Sequence, residues 1–171
     1  MIEKKKGMEK MIMVIMLVLT GSLTSIFGQS TERFEALFIY KFSDYIKWPD
    51  NKAKKTVGVL NNSMVLKELN KVSASSGKIT AIQLDGLSKI EECDIVYVGE
   101  TTDATLQQAV ASAKSNHILL VTKGQKHVGK GSCIGFYTEG GRLKFAISPK
   151  NMAAYQLKAS GTLTALGKII E

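Results

Sequence analysis

The stretch that decides the fold is residues 94–122, DIVYVGETTDATLQQAVASAKSNHILLVT. It begins with an apolar run at Asp94–Val98, continues with a helical segment from Thr102 to Lys114, and ends with a second apolar run at His117–Thr122. Short, continuous apolar strands joined by a helix are typical of a parallel sheet that is buried on both faces. This stretch therefore predicts a strand–helix–strand unit of an α/β fold.

The same alternation extends toward the N-terminus. Apolar runs at Thr56–Leu60 and Ile79–Leu84 predict two strands, and the segment Ser63–Val72 between them predicts a helix. Helical spacing also runs from Glu32 to Trp48, where Pro49 ends it because proline disfavours helical geometry in the preceding residue. We therefore expect an α/β three-layer sandwich, with a mostly parallel sheet and helices on both faces.

The C-terminal part changes character. Apolar runs at Ser132–Tyr137 and Arg142–Ile147 flank a glycine-containing connection, which predicts an antiparallel hairpin. Ser148 followed by Pro149 is a helix start signal, and Lys150–Ile170 then predicts a terminal helix that is broken near Ser160. The sheet is expected to end in this C-terminal antiparallel pair.

A leader pattern occupies the first 28 residues. Four lysines among the first ten residues precede the apolar run Met11–Leu19, and small residues follow it. Nine apolar residues are too few to cross about 30 Å of hydrocarbon, so a cleaved export signal is favoured over an uncleaved anchor. We expect residues 1–28 to be a signal peptide cut near Gly28, and residues 29–171 to form one periplasmic α/β domain.

Composition excludes several classes of protein. The chain has 171 residues, of which 44% are hydrophobic and 22% charged, and this is the composition of an ordinary globular domain and not of a disordered chain. The net charge of +8 comes from scattered lysines, with no run of basic residues interleaved with aromatics. We therefore expect no nucleic acid among the partners.

The sequence offers no catalytic motif. Its two histidines, His117 and His127, stand in no recognisable hydrolase or zinc pattern. The loop Gly124–Gly131 is rich in glycine and lysine, but it leads into a strand, whereas a phosphate-binding Walker loop opens a helix. We therefore expect a protein that is not an enzyme, with no catalytic residues, no metal and no cofactor.

The cysteines Cys93 and Cys133 allow a single pairing. Each lies in or beside a predicted strand, and disulfides persist in the compartment to which an export signal leads. Two interpretations stay open at this point. The thiols either form one disulfide across the sheet, or each is a small buried core residue.

The first predicted helix is apolar on more than one face. Four aromatic residues are expected to hold it on the core, namely Phe34, Phe38, Phe42 and Tyr45. Ile39 and Ile46 are displaced from these by steps of about 100° and are therefore candidates for an interface. The alternative is that the domain itself buries both sides of this helix.

Three segments together resemble the YfiR family of periplasmic YfiR/HmsC-like regulators. They are residues 38–49 (FIYKFSDYIKWP), residues 93–99 (CDIVYVG) and residues 131–147 (GSCIGFYTEGGRLKFAI), and the resemblance continues to the terminal segment around Lys158–Leu163. It implies a non-catalytic homodimer that binds the periplasmic segment of an inner-membrane signalling protein, typically a diguanylate cyclase. Binding would repress that enzyme, and thereby cyclic di-GMP synthesis and biofilm formation.

The resemblance also implies candidate site residues. A small anionic or aromatic ligand would be bound at the positions that correspond to Lys47, Trp48, Lys158 and Ser160. The best-known members carry two intrachain disulfides, whereas the two cysteines here allow at most one. The rival interpretation of the whole chain is a periplasmic ligand-binding sensor module that acts with a histidine kinase or a transporter.

Overall fold

The computed structural model describes residues 25–50 and 52–171 as a β-sheet covered by helices. Residues 1–24, most of the expected signal peptide, lie outside the described residues, so that leader stays a prediction. The α-helices are α1 Ser25–Tyr45, α2 Ser63–Ser76, α3 Asp103–Ser115, α4 Pro149–Ala154 and α5 Gly161–Leu166, and two 3₁₀ helices cover Ile90–Glu92 and Gln125–Lys130. The strands are β1 Ile46–Lys47, β2 Lys55–Leu60, β3 Ile79–Leu84, β4 Ile95–Val98, β5 Leu119–Lys123, β6 Ile134–Glu139, β7 Arg142–Ile147, β8 Lys158–Ala159 and β9 Lys168–Ile169.

Seven strands form the main sheet in the order β3-β2-β4-β5-β6-β7-β9. The pairs from β3 to β6 are parallel, β6 and β7 form the predicted antiparallel hairpin, and β9 adds a parallel edge to β7. The side chains of β4 are buried along its whole length, and those of β5 are buried except at Lys123, as its continuous apolar sequence requires. The predicted α/β class and mostly parallel sheet are confirmed.

The strand order places α2 and α3 on opposite faces of the sheet. From β2 the chain crosses to β3 on one side, and from β4 it crosses to β5 on the other side. Because such crossovers are right-handed, opposite directions of travel put the connecting helices on opposite faces. Helix α1 packs beside α2 and against β7, so it shares the face of α2. This arrangement is the expected three-layer sandwich.

Capping residues that the sequence carries mark the ends of several of these helices. The side chains of Asn62 and Thr102 accept hydrogen bonds from the first turns of α2 and α3, and Gly77 closes α2 with a φ of 67°. Ser148 likewise caps α4 and Pro149 is its first residue, as predicted. These short-range contacts explain why the sequence located the starts of α2, α3 and α4, whereas α1 starts at Ser25 and not at the expected Glu32.

The buried face of α1 differs from the expected one. Ile39 and Ile46 are 0% and 6% exposed, whereas Phe34 and Tyr45 are 52% and 40% exposed. Assigning Ile39 and Ile46 to an interface was therefore wrong. Ile39 lies three residues before Phe42, so both turn toward the sheet, and Ile46 lies in β1, where it pairs with Ala159 of β8. Phe38 and Phe42 do pack on the core as expected, with ring centroids 5.7 and 5.3 Å from that of Phe145.

The C-terminal segment is not one broken helix. Helix α4 ends at Ala154, and Gln156 then takes a positive φ of 58°. Two further contacts come from distant parts of the chain, since the Ser160 N–H donates to the Tyr45 carbonyl at 2.8 Å and the Ile170 N–H donates to the Ile147 carbonyl at 2.9 Å. These contacts turn residues 158–159 and 168–169 into strands, with only α5 helical between them.

Candidate functional site

The end of α1 and the start of α5 bring three of the implied ligand residues together. Strand β1 pairs antiparallel with β8, and Lys47 lies directly opposite Lys158 in that ladder. Ser160 follows at once, where its hydroxyl accepts a hydrogen bond from Leu163 N at 3.2 Å and caps α5. A two-residue ladder, with α1 before it and α5 after it, thus holds all three residues at one place.

This dibasic ladder is suited to bind an anion. Both Lys47 and Lys158 are exposed, and within residues 25–50 and 52–171 neither lysine has a carboxylate at ion-pair distance. Like charges directly opposite each other in a ladder repel, so a negative ligand group between them would be stabilising. The chemistry of this site is electrostatic attraction of an anionic group.

Trp48, the fourth implied residue, has its contacts elsewhere. Its indole N–H donates to the Asp94 carbonyl at 3.3 Å, and the Lys55 ammonium lies 4.6 Å from the centre of its ring. The buried carboxylate of Asp94 in turn accepts from Lys52 Nζ at 3.0 Å and from Thr56 N at 2.7 Å. Trp48 therefore ties the chain after β1 to the start of β4.

The two cysteines are separate buried thiols, which corrects the disulfide alternative. Cys93 precedes β4 and Cys133 precedes β6, with β5 between these strands. Two strand spacings amount to about 10 Å, whereas bridged cysteines have Cα atoms within about 7 Å. The side chain of Cys93 also points at β2, where a Cβ on Gly58 would lie 2.6 Å from its Sγ. Both residues are core residues, which was the other open interpretation.

An apolar stripe of exposed side chains runs along α1. It consists of Phe34, Leu37 and Tyr45, which are 52%, 37% and 40% exposed. At about 100° per residue the three lie within an arc of roughly 80°, on a different side of the helix from Ile39 and Phe42. Periodicity could not identify this stripe, because apolar residues occupy both arcs and only the position of the sheet decides which arc is covered.

The sequence also gave no indication of a buried carboxyl group in α1. Glu35 is 2% exposed and accepts a hydrogen bond from the Tyr97 hydroxyl at 3.0 Å, and Asn62 Nδ2 donates to the same hydroxyl at 3.4 Å. Burial raises the pKa of Glu35 to about 7, against the smaller opposing effects of this hydrogen bond and of Lys123. Burial also raises the pKa of Tyr97.

Two further properties of the described residues bear on function. Within residues 25–50 and 52–171, no three side chains of the His, Cys, Asp or Glu type are grouped to bind one metal ion. Among the helices of the same residues, none combines the length and the apolar character needed to cross a membrane.

The comparisons with known proteins give a family and a fold. A family model described as YfiR/HmsC-like matches residues 32–168. A search of curated proteins found no match.

Three solved structures share the fold at low sequence identity. A conserved domain protein of Vibrio cholerae O1 biovar El Tor has a TM-score of 0.59 and 10% identity, over 82% of this chain and 60% of that one. An ABC domain in complex with L-Trp from Streptococcus pneumoniae has a TM-score of 0.56 and 12% sequence identity, and the match covers 81% of this chain and 60% of that one. CD0873 of Clostridium difficile, a substrate-binding protein with adhesive properties, has a TM-score of 0.50 and 12% sequence identity, and the match covers 68% of this chain and 54% of that one. The chain thus spans about 60% or less of these structures.

Proposed function

The chain belongs to the YfiR/HmsC-like family, and from this premise we propose that it is a non-catalytic periplasmic regulator that binds and represses an inner-membrane diguanylate cyclase. Repression lowers cyclic di-GMP and with it biofilm formation. The match over residues 32–168 supports the regulatory role, and the leader pattern of residues 1–28 supports export to the periplasm.

One structural observation carries the binding role: the apolar stripe of Phe34, Leu37 and Tyr45 is exposed on the first helix of the domain. Aromatic side chains are enriched in protein interfaces, where a few of them supply most of the binding energy. Lys41, which lies within the same arc, forms an ion pair with Asp44 of its own helix at 3.8 Å, and this partly offsets its charge. We propose this stripe as the surface that contacts the periplasmic segment of the cyclase.

The experiment that tests this proposal uses the native host. Deleting the gene should raise cellular cyclic di-GMP several-fold, and restoring the wild-type gene should lower it again. A variant with Phe34→Ser, Leu37→Ser and Tyr45→Ser should be exported and folded but should fail to lower cyclic di-GMP. Met64→Ser, a change of an exposed apolar residue on α2, is the matched control and should behave like wild type.

Two results would contradict the proposal. Unchanged cyclic di-GMP on deletion would exclude repression of a cyclase. Full activity of the triple variant would show that the apolar stripe is not the contact surface.

A second candidate function is favoured by the dibasic ladder. Lys47 faces Lys158 beside Ser160, an arrangement suited to an anionic ligand, which fits a sensor module that acts with a histidine kinase or a transporter. A neighbour of similar fold was solved with L-Trp, an aromatic ligand that carries a carboxylate. Calorimetry with L-Trp should then show binding that Lys47→Met and Lys158→Met weaken at least about tenfold. Repression without any added ligand would instead favour the first candidate.

A further inference from the structure

A cavity of about 440 Å³ lies between the N-terminal half of α1 and the carboxyl ends of β5 and β6. Its lining includes Glu35, Lys123, Gln125, Lys126, Phe136 and Leu143. It is separate from the dibasic ladder, because Glu35 and Tyr45 are ten residues, or about 15 Å, apart along α1. A volume of this size suits a small organic molecule, and the carboxyl ends of parallel strands are a common place for ligands.

One wall of the cavity is apolar and held in place. Phe136 is 2% exposed, and its ring centroid lies 6.1 Å from that of Phe38 and 6.0 Å from that of Phe42. Leu143 on β7 adds an aliphatic side chain that packs against the core. A ligand with an aromatic or aliphatic body would be buried against this wall.

The segment that carries Gln125 and Lys126 is held close to β6. Gly124 has a φ of 128°, and a Cβ on Gly135 would lie 2.5 Å from the Gly124 carbonyl oxygen. Only a glycine at position 135 permits this approach, so the loop that carries Gln125 and Lys126 is fixed against the strand. The backbone on this side of the cavity is therefore held in place before any ligand binds.

The wall contains a hydrogen-bond acceptor that lacks a donor. The side-chain oxygen Oε1 of Gln125 is buried and has no hydrogen-bond partner among the described residues. An unpaired buried acceptor is destabilising, and because Oε1 has almost no exposed surface, a ligand hydroxyl or N–H group would reach it only after the Gln125 side chain turns toward the cavity.

The charges around the cavity favour an acid group on the ligand. Lys126 is exposed and has no carboxylate at ion-pair distance within residues 25–50 and 52–171, whereas Lys123 is paired with Glu100 at 3.2 Å. Among the described lining residues only Glu35 carries a carboxyl group, and burial raises its pKa to about 7, with the Tyr97 hydrogen bond and Lys123 opposing this effect and Glu32 adding to it. Its charge near neutral pH is only partial, so its repulsion of an acid is reduced.

We propose that this cavity is a second ligand site, which binds a small aromatic acid carrying a hydrogen-bond donor at the end opposite its carboxylate. The carboxylate pairs with Lys126 at the rim, the ring lies on Phe136 and Leu143, and the donor reaches Gln125 Oε1. This site is independent of the proposed regulatory contact and of the dibasic ladder.

The test uses three probes that differ by one group each, titrated calorimetrically into the purified protein at neutral pH. They are 4-hydroxyphenylacetate, phenylacetate, which lacks the donor, and tyramine, which replaces the acid by an amine. We expect 4-hydroxyphenylacetate to bind with a Kd below about 1 mM, phenylacetate at least about tenfold more weakly, and tyramine not at all.

Variants assign the binding to this cavity. Lys126→Met should weaken the binding of 4-hydroxyphenylacetate about tenfold. The control is Lys54→Met, which changes an exposed lysine at the opposite end of the sheet and should leave the binding unchanged. Leu143→Trp should fill the cavity and abolish binding, and a thermal melt shows whether that variant folds. If this variant does not fold, the comparison of Lys126→Met with Lys54→Met still shows whether the ligand binds in this cavity.

Three outcomes would overturn the proposal. They are no binding of 4-hydroxyphenylacetate up to about 5 mM, equal affinity for all three probes, and binding that Lys47→Met abolishes while Lys126→Met leaves it unchanged. The last outcome would place the acid on the dibasic ladder instead.

Discussion

At the scale of single residues, the buried carboxyl group of Glu35 makes the stability of the domain depend on pH. Its pKa is about 7 in the folded protein, against an ordinary value of 4.5. Between these pH values the folded protein holds a proton that the unfolded chain has released. The free energy of unfolding should therefore fall as pH rises from about 4.5 to 7, by on the order of 3 kcal/mol at most.

The measurement is chemical denaturation at several pH values for wild type and for Glu35→Gln, which retains an acceptor for the Tyr97 hydroxyl. The variant is needed because burial lowers the pKa of His127, and that shift makes stability rise with pH in the acidic range. The difference in the free energy of unfolding between the two proteins isolates the contribution of Glu35, and it should grow as pH rises. A difference that is independent of pH would show that Glu35 does not titrate in this range.

The two cysteines should be unreactive in the native protein. Burial raises the pKa of Cys93 to about 11, with added repulsion from Asp94, and raises that of Cys133 to about 12. Because the thiolate is the reactive form, iodoacetamide should label neither residue near neutral pH. After unfolding in guanidinium without reductant, mass spectrometry should show two labels. An unlabelled chain that is lighter by two hydrogens would instead reveal a disulfide.

At the scale of elements, α1 has one face that stabilises the fold and one that does not. Phe42 is 1% exposed and packs on the rings of Phe136 and Phe145, whereas Phe34 is half exposed. Phe42→Ala should lower the free energy of unfolding by about 3–5 kcal/mol, and Phe34→Ala by less than about 0.5 kcal/mol. Denaturant titration of both variants tests this, and equal losses would mean that the buried face of α1 is assigned wrongly.

The short strands β1 and β9 show how an element can exist without a signal of its own. Each has two residues, too few for any periodicity, and each is paired with a strand more than 20 residues away in the sequence. Ile46–Lys47 continues the helical spacing of α1, yet it is extended because β8 lies beside it. Short segments of this kind follow their partners and not their own propensities.

At the scale of the whole molecule, we expect a homodimer formed through the β9 edge of the sheet. Leu166 and Ile169 are 71% and 45% exposed there, and an edge strand offers unpaired backbone groups to a second copy. Sedimentation should show a dimer that Leu166→Ser with Ile169→Asn converts to a monomer, while Met64→Ser leaves it intact.

Because this contact is apolar and made by backbone groups, and because both copies carry the same net positive charge, raising the salt concentration should screen their repulsion and leave the dimer intact. A strict monomer for wild type, or a dimer that dissociates with modest salt, would contradict this assignment.

By itself, the sequence determined the class of the fold, the order of its main strands and helices, and the family. A strand buried on both faces has to be a continuous apolar run, and caps such as Asn62, Thr102 and Ser148 act within one turn of the chain. The sequence also indicated Lys47, Lys158 and Ser160, which the fold brings together. These features are local, or they follow from the resemblance to a family.

Only the tertiary structure decided which face of α1 is buried, that Cys93 and Cys133 are apart, and that Glu35 is inside. Each depends on what a distant part of the chain places beside the residue: the rings of β6 and β7 against α1, strand β5 between the cysteines, and Tyr97 next to Glu35. A helix with apolar residues on two arcs has two equivalent orientations until a sheet covers one of them. Burial is a property of the assembled layers, so no periodicity within a single helix can specify it.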